Sequence, residues 1–230
     1  MEDKKKTIKA GLIETLPIAI AVAAYGISYG VLATQAQFSL AETIAMSLFV
    51  FSGSVQMVTV AMLMGGATLT SILVTSALLN LRNLLYGAAL AEGLHSSRKQ
   101  RWLLSFGVTD ESFVLGSQRF KKYGPDPLYF AAVAGTLYFA WAFSTLIGAL
   151  IGNQVDPLKW GLDLAFPVTF VALLIPSLKD KPVIATALSA VVIAIGLESL
   201  APGNEFTIIL TGVLSPLVGL YLKRRGNDVS

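Results

Sequence analysis

Residues 12–36 read LIETLPIAIAVAAYGISYGVLATQA, and Glu14 is the one charged side chain in the run. As a helix these residues would measure about 37 Å, enough to cross a hydrocarbon core of about 30 Å. A secretory leader has an apolar core of only about 7–15 residues, so the stretch reads as a retained membrane span. Seven further apolar blocks follow, at about 43–64, 68–90, 102–116, 128–151, 162–178, 183–200 and 206–222. The block at 102–116 is short and holds Asp110 and Glu111. It reads either as a poor span or as a re-entrant segment.

Composition agrees. Of 230 residues 54% are hydrophobic and 13% charged, with a mean hydropathy of +0.69. A soluble domain carries about 25% charge, and half of that cannot cover a water-facing surface. The predicted fold class is all-α: a polytopic membrane helical bundle of about eight hydrophobic segments, some broken or re-entrant, forming one integral membrane domain over 1–230. Stretches 10–118 and 126–225 each open on a Gly- and Ala-rich span and continue into a block broken by Ser-Gly or Pro. Two related halves are one reading, and shared apolar composition is the other.

The chain has no Cys, which excludes disulfides, thiolate metal sites and a Cys nucleophile. Its single His, His95, lies beside Arg98, Lys99 and Arg101 and reads as a solvated loop residue. No P-loop, Gly-x-Ser-x-Gly or His-Glu-x-x-His pattern occurs. A non-enzyme without cofactor or metal is therefore expected. The net charge is +3, but the basic residues cluster at the ends of apolar blocks, as the positive-inside rule describes. Nucleic acid is not the expected partner. The N-terminal lysines, Arg119-Phe120-Lys121-Lys122 and Lys223-Arg224-Arg225 place both termini in the cytoplasm. Eight full spans would then put Arg98, Lys99 and Arg101 outside. That conflict vanishes if one or both blocks between 68 and 116 fail to cross.

Polar residues at membrane depth are costly and each needs a reason. The run Phe51-Ser52-Gly53-Ser54-Val55-Gln56 interrupts the second block. Ser52, Gly53 and Ser54 weaken the helix, and an unwound stretch bares backbone groups able to grip a solute. Helix packing, with Gln56 bonded to a neighbour, is the alternative. The second cluster is Asn80-Leu81-Arg82-Asn83 with Tyr86 and Gly87. A guanidinium at this depth wants a carboxylate or a wet cavity, unless Arg82 snorkels to an interface. The third is Thr109-Asp110-Glu111-Ser112, where one carboxylate can pair with Arg82 while another carries a proton, or both are hydrated at the surface. Glu14 reads as interfacial, and Tyr25 and Tyr29 as packing residues. Two Gly-x-x-x-Gly patterns, Gly26–Gly30 and Gly148–Gly152, are weak signals of close helix approach.

In order along the chain, Pro17 with Tyr25-Gly26-Ile27-Ser28-Tyr29-Gly30, the run at 51–56, Asn-Leu-Arg-Asn-Leu-Leu-Tyr-Gly at 80–87, Thr-Asp-Glu-Ser at 109–112 and Leu-Asp-Leu-Ala-Phe-Pro at 162–167 resemble the AzlC family, also called the YgaZ type. This is the large subunit of bacterial branched-chain amino acid exporters. Tyr25 and Tyr29 depart from it, since relatives often carry Phe. The resemblance implies export of valine, leucine, isoleucine or methionine from the bacterial inner membrane, and a separately encoded small AzlD-type membrane subunit. On that reading Ser52, Gly53, Ser54, Gln56, Asn80, Arg82, Asn83 and Tyr86 bind substrate. Asp110 or Glu111 couples to the proton gradient or pairs with Arg82. A passive small-solute channel and a non-transporting membrane scaffold are the competing readings.

Overall fold

A computed structural model describes residues 2–94, 97–154, 156, 159, 175, 178, 180–202 and 206–227. His95, Trp160, the motif at 162–167 and nearly all of the block at 162–178 lie outside the described residues. Within them the chain is all-helical. The helices are α1 (Glu2–Gln35), α2 (Leu40–Phe49), α3 (Gly53–Met64), α4 (Leu69–Leu90), α5 (Arg98–Phe106), α6 (Asp110–Tyr123), α7 (Pro127–Ile151), α8 (Lys181–Leu200) and α9 (Thr207–Asn227). Long, apolar segments at Lys4–Gln35, Leu69–Leu90, Pro127–Ile151 and Lys181–Leu200 meet the requirement for membrane spans. The chain divides into two compact units, 1–65 with 79–163, and 66–78 with 164–230.

The first unit is built on α1 and α7. Gly11 faces Ala132 and Tyr129, Gly26 faces Ser144 and Trp141, Gly30 faces Thr145 and Ala149, and Gly152 faces Thr34. Positions rise together along both helices, so the two run parallel. At Gly148 a Cβ would strike the Ile27 backbone. Both Gly-x-x-x-Gly patterns thus lie in this one interface, where missing side chains let the backbones close up. Thr34 reinforces it, donating from Oγ1 to Ala149 O at 3.2 Å. At the helix starts the Tyr129 hydroxyl donates to the exposed Glu14 carboxylate at 2.5 Å, and Arg119 pairs with Asp126 at 3.1 Å.

Two helical hairpins pack on this pair. The block at 43–64 is not a single span. Gln56 Nε2 donates to Ser47 Oγ at 3.1 Å, although nine residues of straight helix would hold them about 13 Å apart. Phe51 lies against Tyr138, Gly53 against Trp141, and Ser47, which Gln56 reaches, bonds Thr145. So α2 descends against α7, and α3 returns along it towards the end where α1 finishes. The turn is made at Phe51, whose φ is +43°. That left-handed backbone is unusual for a bulky residue. Stacking on Phe106 and Tyr138 holds it.

The block at 102–116 is likewise broken, at Gly107–Thr109, where Thr109 and Ser112 cap α6 reciprocally. Gly107 lies against Ala134, Gly116 against Phe130, and Arg119 reaches Asp126, so α6 runs back towards the start of α7. Leu104 packs on the Leu90–Phe130 cluster, and Phe106 reaches Tyr138, so α5 leads up to the turn. This hairpin enters from the opposite end to the first. Between them α4 runs antiparallel to α7, its Asn80 beside the first turn and its Leu90 beside Phe130.

This order accounts for the basic residues. Leu90 and Leu94 lie with Phe130 at the end where α7 begins, and α5, which follows, opens on Arg98, Lys99 and Arg101. The expected helical bundle with some segments broken or re-entrant is what the described residues show: 68–90 is a continuous helix of spanning length, while 43–64 and 102–116 turn back on themselves. Hydropathy counts apolar residues and cannot sense a reversal of direction.

In the second unit α8 and α9 form an antiparallel pair. Gly219 fits against Thr186 and Pro182, and Ser189 Oγ donates to Ser215 O at 3.4 Å. Pro216 lies within α9.

Candidate functional site

The two hairpin turns meet beside the middle of α7: Phe106 and Phe51 stack with centroids 5.8 Å apart, and both touch Tyr138. Tyr138 is the twelfth of 25 residues in α7, so the turns lie near half-depth of a span. Each turn ends a helix there. The C-terminus of α2 and the N-termini of α3 and α6 all point into this region; α6 is capped by Thr109 and Ser112, whereas α3 has no side-chain cap.

Into this region α4 projects its polar residues. Arg82 Nη1 lies 2.9 Å from Asp110 Oδ2, and Arg82 Nη2 donates to Ser54 Oγ. Ser52 Oγ donates to Asn80 Oδ1 at 3.0 Å, and Asn83 Nδ2 donates to the same oxygen at 3.3 Å. Ser52 therefore bonds across to α4 and makes no cap on α3, which leaves the first amides of α3 without side-chain partners. Tyr86 stacks on Phe113 at 4.5 Å and neighbours Asp110. Glu111 lies within electrostatic reach of Tyr25 and Tyr86. Gly53 lets Trp141 and Tyr25 lie directly against the start of α3. All ten residues singled out from the sequence are thus in or beside one locus, drawn from three helices and the α2–α3 turn.

One detail differs from the sequence reading. The unwound stretch is 50–52, and Gly53 and Ser54 are already the first turn of α3. Phe51, with its positive φ, reverses the chain, and Gly53 serves close approach.

The charges are only partly withdrawn from solvent, Arg82 being 32% and Asp110 25% exposed at the side chain. Several polar atoms around them are buried without a partner among the described residues: Arg82 Nε, Asp110 Oδ1, Asn83 Oδ1 and Gln56 Oε1. Natively such atoms find a bond partner, so the locus has hydrogen-bonding capacity left for a polar solute or water. Among the described residues no group of His, Cys, Asp or Glu is suited to a metal ion. A separate cavity of about 480 Å³, lined by Gly93, Phe113, Ser117, Phe120 and Lys121 among others, holds none of the ten.

The AzlC protein family model matches residues 17–155, a stretch that contains both hairpins, α4 and most of the α1–α7 pair. The chain belongs to the AzlC family. Its relatives include the "Branched-chain amino acid transport protein AzlC" of Bacillus subtilis, 27% identical over 210 residues, covering 88% of this chain and 82% of that one. Another is the "Inner membrane protein YgaZ" of Escherichia coli, 27% identical over 185 residues, 76% of this chain and 75% of that one. An "Uncharacterized membrane protein" of Helicobacter pylori strain J99 is 24% identical over 226 residues, 98% of this chain and 99% of its own. No solved structure gives a significant match. As an AzlC-family membrane protein the chain is a transport protein.

Sequence reasoning passed over Ser47, Thr145 and Trp141. Ser47 and Thr145 extend the hydrogen-bond chain from Gln56 to α7. Trp141 contacts Tyr25 and Tyr29, with ring centroids 5.5 and 5.9 Å away. Lone hydroxyls in apolar runs are common helix-packing residues, so only the reversal at Phe51 reveals what Ser47 meets.

Proposed function

We propose that this chain exports branched-chain or other hydrophobic amino acids (valine, leucine, isoleucine, methionine), working as one membrane domain with a small AzlD-type subunit and drawing on the proton gradient. The observation that supports this most is the Arg82–Asp110 pair at the meeting point of two half-helix turns. Broken helices at half-depth are a common way to bind charged solutes in a bilayer. The N-termini of α3 and α6 carry positive partial charge and, with Arg82, favour a carboxylate. Ser52, Ser54, Asn80 and Asn83 add neutral hydrogen bonds, and apolar neighbours take the branched side chain at about 0.8 kcal/mol per CH₂.

A carboxylate arriving at Arg82 competes with Asp110. Asp110, once released, takes a proton at its freed oxygen, and Glu111 is the second acceptor nearby. This links substrate binding to protonation without any ATP-binding motif in the chain. The basic end of the first unit, where α1 and α7 begin, is the cytoplasmic side under the positive-inside rule, with both termini there in a bacterial inner membrane.

The test is export of radiolabelled leucine, valine, isoleucine and methionine from dipeptide-loaded cells, with this chain alone and with the small subunit. Collapse of the proton gradient forms a parallel arm. Export of one or more that requires both subunits and falls when the gradient is collapsed is expected. Absence of export of all four, with both proteins in the membrane, would refute the reading and favour the scaffold. Flux that only follows the concentration gradient would favour the channel.

A further inference from the structure

On the face of α3 away from Asp110, four buried polar atoms make no well-formed hydrogen bond among the described residues, although Tyr29 lies beside the Gln56 amide. They are the hydroxyls of Tyr25 and Tyr29, Gln56 Oε1 and Trp141 Nε1. Gln56 and Tyr29 are wholly buried and Trp141 is 3% exposed. The amide of Gln56 is oriented, because its Nε2 is committed to Ser47 Oγ at 3.1 Å and Ser47 in turn donates to Thr145. That leaves Oε1 as an acceptor with a fixed direction. Tyr29 stacks on Trp141 and Tyr25 meets it edge-on, and Gly53 lets both Trp141 and Tyr25 touch the start of α3. Tyr25 also lies within electrostatic reach of Arg82 and Glu111, so this group adjoins the carboxylate-binding side of the site.

The chemistry on this side suits a cation. Gln56 Oε1 and two phenolic oxygens are three hydrogen-bond acceptors. Trp141 packs against both tyrosine rings and, as an N–H donor only, frames the acceptors without binding the cation. The C-terminus of α2, which ends at Phe49 two residues after Ser47, brings the negative end of a helix dipole. A primary ammonium offers three donors to three acceptors. We infer that Gln56, Tyr25, Tyr29 and Trp141 form the subsite for the α-ammonium group of the amino acid whose carboxylate lies at Arg82. This rests on the transport reading above and adds to it that the site selects zwitterions over simple carboxylates. The hydroxyls at 25 and 29 add acceptors to Gln56 Oε1 in this chain.

The test compares leucine with isocaproate, which is leucine without its ammonium group, by titration calorimetry on the purified full chain, alone and with the small subunit. Parent protein, Gln56→Leu and Tyr29→Phe are measured. In the parent, leucine is expected to bind better than isocaproate by about a hundredfold or more, since a site built for a polar group rejects the analogue lacking it. Gln56→Leu is expected to reduce that preference by about tenfold or more, with isocaproate affinity nearly unchanged. Tyr29→Phe, which removes one oxygen and preserves shape, is expected to reduce it by a smaller factor in the same direction. Equal losses for both ligands, or an unchanged preference in both variants, would overturn the assignment and leave a packing residue or bound water in its place. If the parent binds neither ligand, the transport reading itself fails. If it binds leucine with the preference intact in the variants, only the ammonium subsite fails.

Discussion

Gly148→Ala is expected to destabilise the protein by about 1–3 kcal/mol, whereas Gly135→Ala, thirteen positions earlier on the same helix, is expected to stabilise it by up to about 1 kcal/mol. The contrast comes from what each added methyl would meet. At Gly135 nothing among the described residues lies within 4 Å, while at Gly148 the methyl would strike the carbonyl oxygen, carbonyl carbon and Cα of Ile27. Those atoms belong to α1's backbone and move only if the two helices separate. Separation would loosen the whole ladder of close approaches from Gly11 to Gly152 and shift the platform on which both hairpins rest. Gly30→Ala should act like Gly148→Ala, because its methyl would meet the Thr145 carbonyl and the Ala149 nitrogen. Thermal unfolding of detergent-purified variants checks this. Equal midpoints for Gly135→Ala and Gly148→Ala would refute the parallel α1–α7 interface described here.

Arg82→Ala should reduce leucine transport about thirtyfold or more, the equivalent of the 2 kcal/mol that follows loss of one partner of a desolvated charge pair. It should also lower stability, because Asp110 has one oxygen without a partner among the described residues and loses the 2.9 Å ion pair on the other. The double variant Arg82→Ala/Asp110→Asn separates the two roles. Removing the orphaned charge should restore most of the lost stability, while transport should stay at or below the Arg82→Ala level, because the cationic partner of the carboxylate is still missing and the amide at position 110 accepts no proton. Recovery of transport along with stability would reduce Arg82 to a structural counter-ion. Unfolding midpoint and export rate, measured on the same preparations, distinguish these outcomes.

What the sequence made legible follows from what each signal measures. Long apolar runs announce helices and a bilayer, and Arg82, Asp110 and Ser52–Ser54 stood out because polar groups at that depth are costly. That an acid at 110–111 pairs with Arg82 was expected, but the geometry that joins them to Ser52–Ser54 was not legible. It depends on Phe51 taking a left-handed turn that no residue preference would assign to a phenylalanine. The break in 43–64 was visible at Ser52–Ser54, but the block has the length and hydropathy of an ordinary span, so the reversal there was hidden. The hairpin at 102–116 left a trace: Arg98, Lys99 and Arg101 lay on the wrong side for eight full spans. The glycine patterns were visible as patterns, but that both serve one interface, with Gly30 against Ala149 and Gly148 against Ile27, required the fold. Tyr25 and Tyr29 were read as packing residues, and their stacking on Trp141 agrees. The buried, unpartnered hydroxyls belong to side-chain geometry that spacing along one helix does not encode.

The account turns on two hairpins that enter from opposite ends and meet at Arg82. Because the chain lacks cysteine, single cysteines report sidedness directly. Lys5→Cys, Lys99→Cys, Lys122→Cys and Ala41→Cys, each at an exposed position, would be treated with a membrane-impermeant maleimide on intact cells and on inverted vesicles. Positions 5, 99 and 122 should react from one side of the membrane and position 41 from the other. Reaction of Lys99→Cys from the same side as Ala41→Cys would mean that 102–116 crosses the membrane, and would contradict the architecture on which the site is built.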